Sequence, residues 1–134
     1  MDTKTLVTDD ATIGQEILAK LDEGGVDVSA AFWLCYSDTE VWKFWIATPE
    51  AAKNLQEAYI RVAEILSAGA AKLSDFDLSR INLVSPDDPF IRSLGAMISV
   101  GGTSPVRFSR NVINGVYIED ALIYRLRQAE RKRA

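Results

Sequence analysis

The sequence contains no histidine and only one cysteine, and these two shortages exclude several kinds of chemistry. Without histidine, no Ser-His-Asp or Cys-His catalytic arrangement can form within one chain, because no imidazole is present to act as the base. The single cysteine, Cys35, can neither close a disulfide within the chain nor build the usual Cys/His zinc site. Any catalysis would therefore depend on carboxylates, lysine, tyrosine, serine or a Mg²⁺-like ion held by acidic side chains.

The sequence also lacks long apolar runs. No stretch approaches the roughly 18 apolar residues that cross a membrane, and the start MDTKTLVTDD has no apolar run of signal-peptide length. These absences predict a soluble cytoplasmic protein that does not contact the membrane. With 134 residues, 48% of them hydrophobic and 25% charged, the chain fits a single globular domain over residues 1–134.

Charge is unevenly distributed along the chain. Residues 1–67 hold 5 basic and 12 acidic side chains, a net charge of −7, whereas residues 68–134 hold 10 basic and 7 acidic side chains, a net charge of +3. The final run RLRQAERKRA carries most of the basic excess, and we expect residues 127–134 to form a helical or frayed tail. Such a tail could contact phosphate groups, although a solvated terminus is the commoner case.

Hydrophobic periodicity predicts the element order α-β-β-α-β-α-β-β. Apolar residues at helical spacing predict the first helix over residues 10–23, and a glycine pair ends it. The pattern VDVSAAFWLCY-SDTE-VWKFWIA predicts a hairpin in which Cys35 pairs with Trp42 and Trp33 pairs with Phe44. Both faces of this hairpin are apolar, so it should be covered on both sides, by helices or by a second subunit.

The remainder of the chain predicts two more helices, a short strand and a second hairpin. TPEAAKNLQEAYIRVAEILSAGA predicts one continuous helix capped by Thr48, and RINLV predicts a strand at residues 80–84. SPDDPFIRSLGAMISVGG predicts a helix from Pro89, with Asp88 as its cap and a glycine pair at its end. PVRFSRNVINGVYIEDALIYRL predicts two strands joined at an Asn-Gly turn, although residues 116–126 also fit a helix.

Helices interposed between strands predict an α/β (α+β) fold, in which helices pack on a mixed sheet of about five strands. In the predicted final hairpin, Arg110 opposes Glu119 as a cross-strand ion pair. Arg107 opposes Leu122 and lies diagonally near Asp120. Charged side chains in such pairs help to set the register of the two strands.

The final hairpin also holds the candidate ligand-binding residues, Arg107, Asn111, Asp120 and Arg125. The Asn-Gly turn and the pair of Arg110 with Glu119 do not account for these four side chains. Arginine and asparagine supply the hydrogen-bond donors that an anionic ligand needs. The alternative interpretation is structural, with the same residues pairing across the strands.

The Asp87-Asp88 pair is the candidate for a metal site, because two carboxylates in a strand-to-helix loop can hold Mg²⁺. Helix capping explains the same two residues. A metal-dependent hydrolase would need these carboxylates, or Asp120, to converge within a few ångströms. GGTSP lacks the spacing and the lysine of a phosphate-binding loop. The sequence therefore predicts no cofactor, and it leaves a hydrolase as one alternative function.

Three runs of the sequence resemble a family of small bacterial proteins of unknown function. These runs are AAFWLCYSDTEVWKFWIATPE, INLVSPDDPFIRSL and VRFSRNVINGVYIEDALIYRL, and they cover most of the chain from about Ala30 to Leu126. The resemblance implies a stand-alone bacterial domain with its own fold. It brings no catalytic residues with it.

Two further function classes stand beside the hydrolase. The first is a non-catalytic protein that acts through protein–protein contacts or self-association, for example as a homodimer, and the missing catalytic motifs favour it. The second is a nucleic-acid-associated accessory protein whose basic C-terminal third contacts phosphates. The candidate phosphate-binding residues are Arg107, Arg110, Arg125, Arg127, Arg131, Lys132 and Arg133.

Overall fold

The computed structural model describes residues 8–36, 41–97, 105–113 and 115–127. In chain order the elements are α1 (Thr8–Glu23), β1 (Ala30–Tyr36), β2 (Trp42–Ala47), α2 (Pro49–Lys53), α3 (Leu55–Ser67), α4 (Ala71–Ser74), a 3-10 turn (Leu78–Arg80), β3 (Ile81–Val84), α5 (Pro89–Met97), β4 (Val106–Ile113) and β5 (Val116–Leu126). The strands form one mixed sheet with the order β3-β2-β1-β5-β4. Strands β2 and β3 are parallel, and the other neighbouring pairs are antiparallel. This single α+β domain is the fold class that the sequence predicts.

Each face of the sheet has its own hydrophobic core. On one face, Trp33 and Phe44 pack in a cluster with residues of α1, α3 and α4, such as Ile17. On the other face, Phe32 lies in a cluster with Phe90 and other residues of α5. Helices of the same chain therefore contribute to the cover of both apolar faces of the β1–β2 hairpin.

The register of both predicted hairpins is confirmed. Cys35 pairs with Trp42 in the first hairpin, and Arg107 pairs with Leu122 in the second. Residues 116–126 form a strand, which excludes the helical alternative for this segment. In the turn between β4 and β5, Gly115 has φ of +79°, as the predicted Asn-Gly turn requires, and Asn114 lies outside the described residues.

The prediction of one continuous helix after Thr48 is wrong at one residue. Thr48 caps α2 as expected, and its Oγ1 accepts a hydrogen bond from the N–H of Glu50 at 3.3 Å. Asn54 is extended, however, with φ −157° and ψ 101°, and this conformation ends α2. The Asn54 side chain accepts a hydrogen bond from the N–H of Glu57 at 3.1 Å and so begins α3 as a new N-cap.

Helix α5 begins as predicted. The carboxylate of Asp88 accepts a hydrogen bond from the N–H of Phe90 at 2.9 Å, which caps the first turn. The predicted glycine end of this helix, at residues 101–102, lies outside the described residues, as do residues 128–134 of the predicted tail. No helix in the described part of the chain has the length and apolar character needed to cross a membrane.

Side chains of the sheet donate hydrogen bonds to the backbone of α1 and hold this helix against the sheet. The indole N–H of Trp33 donates to the carbonyl oxygen of Asp10 at 3.1 Å, and the hydroxyl of Tyr124 donates to the carbonyl oxygen of Ala11. Gly14 permits this close approach, because a Cβ there would lie 2.7 Å from both Trp33 Nε1 and the Tyr124 hydroxyl. Burial raises the pKa of Tyr124 to about 12, against a smaller opposing effect of the neighbouring Trp33 indole.

Candidate interaction surface

Two of the four predicted ligand-binding residues bind each other. Arg107 and Asp120 form a bidentate ion pair across β4 and β5, with Nε 2.8 Å from Oδ1 and Nη2 2.6 Å from Oδ2. The hydrogen bond to Asp120 raises the pKa of Arg107 above its ordinary value, despite partial burial. Asp120 Oδ1 also accepts a hydrogen bond from the N–H of Ala121 at 2.9 Å. This pair lies on the diagonal that the sequence predicts, and it ties the two strands together.

The other two predicted residues lie elsewhere on the hairpin. Arg125 forms a bidentate ion pair with Asp22 of α1, at 3.0 and 2.9 Å. Asn111 is exposed and pairs with Ile118, which is seven residues from Arg125 along β5, or roughly 23 Å at the usual strand rise. The structure therefore does not gather the four side chains around one ligand.

The Asp87-Asp88 pair serves the start of α5. Asp88 caps the helix, and Asp87 Oδ1 lies 3.4 Å from Nη1 of Arg92, with both of these side chains exposed. Among the residues that the structure describes, no group of three or more His, Cys, Asp or Glu side chains could hold a metal ion.

At the start of α1, polar and aromatic side chains contact each other and have structural roles. The guanidinium of Arg80 pairs with the carboxylate of Asp10 at 3.1 and 3.4 Å. It lies 4.6 Å from the centre of the Trp33 ring, within the range of a cation–π contact. These contacts join α1 to the 3-10 turn before β3.

The basic residues considered for nucleic acid divide into three groups. Arg107 and Arg125 are each held by a carboxylate. Arg110 and Arg127 are exposed. The remaining three, Arg131, Lys132 and Arg133, lie outside the described residues.

The β3 edge of the sheet is closed by a side chain. The hydroxyl of Tyr59, on α3, accepts a hydrogen bond from the N–H of Leu83 at 3.0 Å and donates to the carbonyl oxygen of Ile81 at 3.4 Å. An edge strand has backbone groups on its outer side that lack a neighbouring strand. The Tyr59 hydroxyl takes the place of such a neighbour for two of these groups.

At the opposite edge, β4, no other described strand pairs with the outer side. Strand β4 is eight residues long, and in the described part of the chain the sheet ends there. Along β4 only Ile113 is buried and Phe108 half-buried, while the other six residues are exposed. An antiparallel strand with one neighbour directs about half of its N–H and C=O groups to its outer side. Another chain could therefore pair with β4.

The structure describes both Arg110 and Glu119, and the ion pair predicted between them does not form. The ladder has pairs on both sides of this position, Ser109 with Asp120 and Asn111 with Ile118, but none between Arg110 and Glu119. Arg110 has φ of +53°, an uncommon conformation for a residue other than glycine. The register of β5 against β1 also shifts next to Asp120. Because the backbone departs from the regular ladder here, the two side chains do not meet as a regular cross-strand pair would.

Exposed apolar side chains lie beyond Arg110 on the same hairpin. Val112 and Tyr117 form a cross-strand pair and are 59% and 42% exposed. Val116, beside the turn, is also exposed. Aromatic residues and arginine are enriched at protein interfaces. We call the exposed residues 110, 112, 116 and 117 the hairpin surface.

A second apolar region lies beside the closed edge. It is an open groove of about 260 Å³, lined by Tyr59, Ile60, Val62, Ala63, Leu78 and Ile81. Ile60 and Leu78 are exposed in it. Because Tyr59 already binds outer backbone groups of β3, this groove offers apolar side-chain contacts rather than strand pairing.

Comparison of the chain with protein-family models, with curated proteins and with solved structures finds no match. The resemblance to a family of small bacterial proteins thus stays an expectation.

The features that distinguish the two edges are not visible in the sequence. Tyr59 reads only as one more member of the buried stripe of α3. Arg110 reads as an ordinary strand residue opposite an acidic partner, since positive φ is typical of glycine. The pairing of Val112 with Tyr117 follows from the predicted register, but its exposure does not.

Proposed function

We propose that this protein is a non-catalytic protein-binding domain and that the hairpin surface contacts its partner. The observation that carries this proposal is the difference between the two sheet edges. The hydroxyl of Tyr59 closes β3, whereas β4 leaves its outer backbone groups free of any described strand. Proteins usually protect their sheet edges, so an open edge beside exposed apolar residues is a candidate binding surface.

The use of polar groups elsewhere supports a binding function over catalysis. Asp120 is paired with Arg107, and Asp88 caps α5. The hydroxyl of Tyr124 donates to a backbone carbonyl. These three groups thus have structural partners.

Site-specific photo-crosslinking in the cells of origin tests the proposal. A benzophenone amino acid replaces Val112 or Tyr117 on the hairpin surface, and replaces Ile60, which is 49% exposed on α3, as the matched control. We expect both hairpin positions to crosslink to the same protein, identified by mass spectrometry, and Ile60 not to do so. Absence of a protein product from the hairpin positions, or equal products from all three positions, would contradict the proposal.

Nucleic-acid binding is the competing function, and a filter-binding measurement with single-stranded DNA at about 50 mM salt separates the two. Under our proposal, Val112→Asp weakens partner crosslinking and the domain shows no salt-sensitive binding to DNA. Tight DNA binding that salt abolishes, and that Val112→Asp leaves unchanged, would favour the alternative.

A further inference from the structure

We infer that β4 binds an extended acidic segment of another protein, which pairs with it as an added strand. This inference depends on the proposed function, because it names the occupant of the same surface. It rests on two features of β4: its outer backbone groups and the charge of its side chains.

The backbone provides the first argument. On both sides of the irregular Arg110, residues of β4 pair with β5, so the outer backbone groups of residues 106–109 and of residues 111–113 can each form main-chain hydrogen bonds to an added strand. Strand addition obtains affinity from such bonds and specificity from alternate side chains. The same binding mode is hindered at β3, because Tyr59 already occupies the outer N–H of Leu83 and the carbonyl of Ile81. The fold therefore favours addition at one edge only.

Charge indicates the chemistry of the occupant. β4 contains two arginines and no acidic residue. Asp120 neutralises Arg107, whereas Arg110 has no ion-pair partner among the described residues. A carboxylate on the added strand can supply that partner through a charge-assisted hydrogen bond.

The same features argue against a second copy of this chain as the occupant. In a two-fold antiparallel pairing centred on β4, Arg110 would lie opposite or next to Arg110 of the partner subunit. Like charges directly opposite one another destabilise a sheet. An added strand with an acidic residue at this position avoids that repulsion and can pair with the Arg110 guanidinium instead.

A random 12-residue peptide library displayed on phage is the probe for the inferred partner. Three full-length proteins are used: the wild type, Arg110→Glu, and Lys53→Glu as a control at an exposed residue of α2. We expect the wild type and Lys53→Glu to select the same peptides, with β-branched or aromatic runs that contain Asp or Glu. Arg110→Glu should bind those peptides at least about tenfold more weakly, as expected for the loss of one charge-assisted hydrogen bond.

Exchange of each acidic residue in a selected peptide for lysine should restore binding to Arg110→Glu. This rescue would show that the variant remains folded and that charge governs recognition. Selection of proline-rich or uncharged peptides, or equal binding of acidic peptides by Arg110→Glu, would overturn the inference.

Backbone methylation tests strand addition itself. One selected peptide is made in two forms, N-methylated at either the odd or the even residues. One form should bind at least about tenfold more weakly and the other normally, because only alternate N–H groups of an added strand face β4. Equal effects of the two forms would overturn strand addition.

The inference and the proposed function can fail separately. Crosslinks from Val112 and Tyr117 to a protein, combined with peptide binding that ignores charge or methylation phase, would retain the proposed function and overturn the inference. So would a wild-type dimer, detected by light scattering, whose β4 amides are protected from hydrogen exchange. Absence of crosslinks from both positions, even if acidic peptides bind β4, would contradict the proposed function.

Discussion

The hydroxyl oxygen of Tyr59 lies 3.0 Å from the backbone nitrogen of Leu83, and this contact closes one edge of the sheet. The same hydroxyl donates to the carbonyl oxygen of Ile81 at 3.4 Å. One side-chain oxygen on α3 thus satisfies a donor and an acceptor of β3. The sheet is left with an asymmetry between its edges that has consequences for stability and for binding.

Tyr59→Phe should destabilise the protein. The variant keeps the ring but removes the hydroxyl, so two backbone groups of β3 lose their hydrogen-bond partner. We expect the free energy of unfolding, measured with urea, to fall by about 1–2 kcal/mol. The amide of Leu83 should also exchange with solvent faster. Tyr117→Phe, at an exposed position, is the control and should change neither quantity.

Gly14→Ala should be destabilising although alanine is the better helix former by about 1 kcal/mol. The new Cβ would lie 2.7 Å from Trp33 Nε1 and from the Tyr124 hydroxyl, so α1 would have to move away from the sheet. Overpacking of this kind costs about 1–3 kcal/mol. Thermal unfolding should show a lower midpoint for Gly14→Ala but not for Gln15→Ala, which is exposed on the same helix. A raised midpoint for Gly14→Ala would contradict the close packing described.

Stability should decline at alkaline pH partly through Tyr124. Burial raises its pKa from 10.0 to about 12 in the folded state, so the folded protein holds this proton more tightly than the unfolded chain does. The resulting stabilisation is complete below about pH 10 and is lost as the pH rises to about 12. Two pKa units correspond to at most about 2.7 kcal/mol.

Urea unfolding of the wild type and Tyr124→Phe, compared near pH 9 and near pH 11, measures this contribution. The variant should be the less stable protein near pH 9, because the carbonyl of Ala11 loses its hydrogen bond. It should then lose less stability than the wild type on going to the higher pH. Parallel pH dependence of the two proteins would contradict the assignment.

Substitutions of Arg110 should separate the effect of its backbone conformation on stability from the effect of its charge on binding. Arg110→Gly removes the steric cost of the positive φ, because glycine has no Cβ. The free energy of unfolding of this variant should lie within about 1 kcal/mol of the wild-type value. Arg110→Val should lower it by about 1–2 kcal/mol, since a β-branched residue tolerates φ of +53° poorly. Asn111→Val, the neighbouring control, should not destabilise the protein. Both variants at position 110 should bind acidic peptides more weakly, because both remove the guanidinium.

Elements governed by local pattern are predictable from this sequence. The alternation of apolar residues on either side of SDTE predicts the pairing of Cys35 with Trp42, and the Asn-Gly step predicts the second register, including Arg107 opposite Leu122. The local pattern does not predict the break between α2 and α3 at Asn54. The apolar stripe continues through it, and the capping interaction with Glu57 shows only in the structure.

The sequence by itself determined the α+β class, the order of the main elements, the registers of the two hairpins and the absence of histidine chemistry, because each depends on composition or on residues close in the chain. Only the tertiary structure decided which polar side chains are already engaged and which sheet edge lacks a neighbour among the described residues. Arg125 pairs with Asp22 across 103 residues, and Tyr59 reaches Leu83 across 24. The periodicity of the sequence does not predict contacts between residues so far apart in the chain, because these contacts depend on how the helices pack on the sheet.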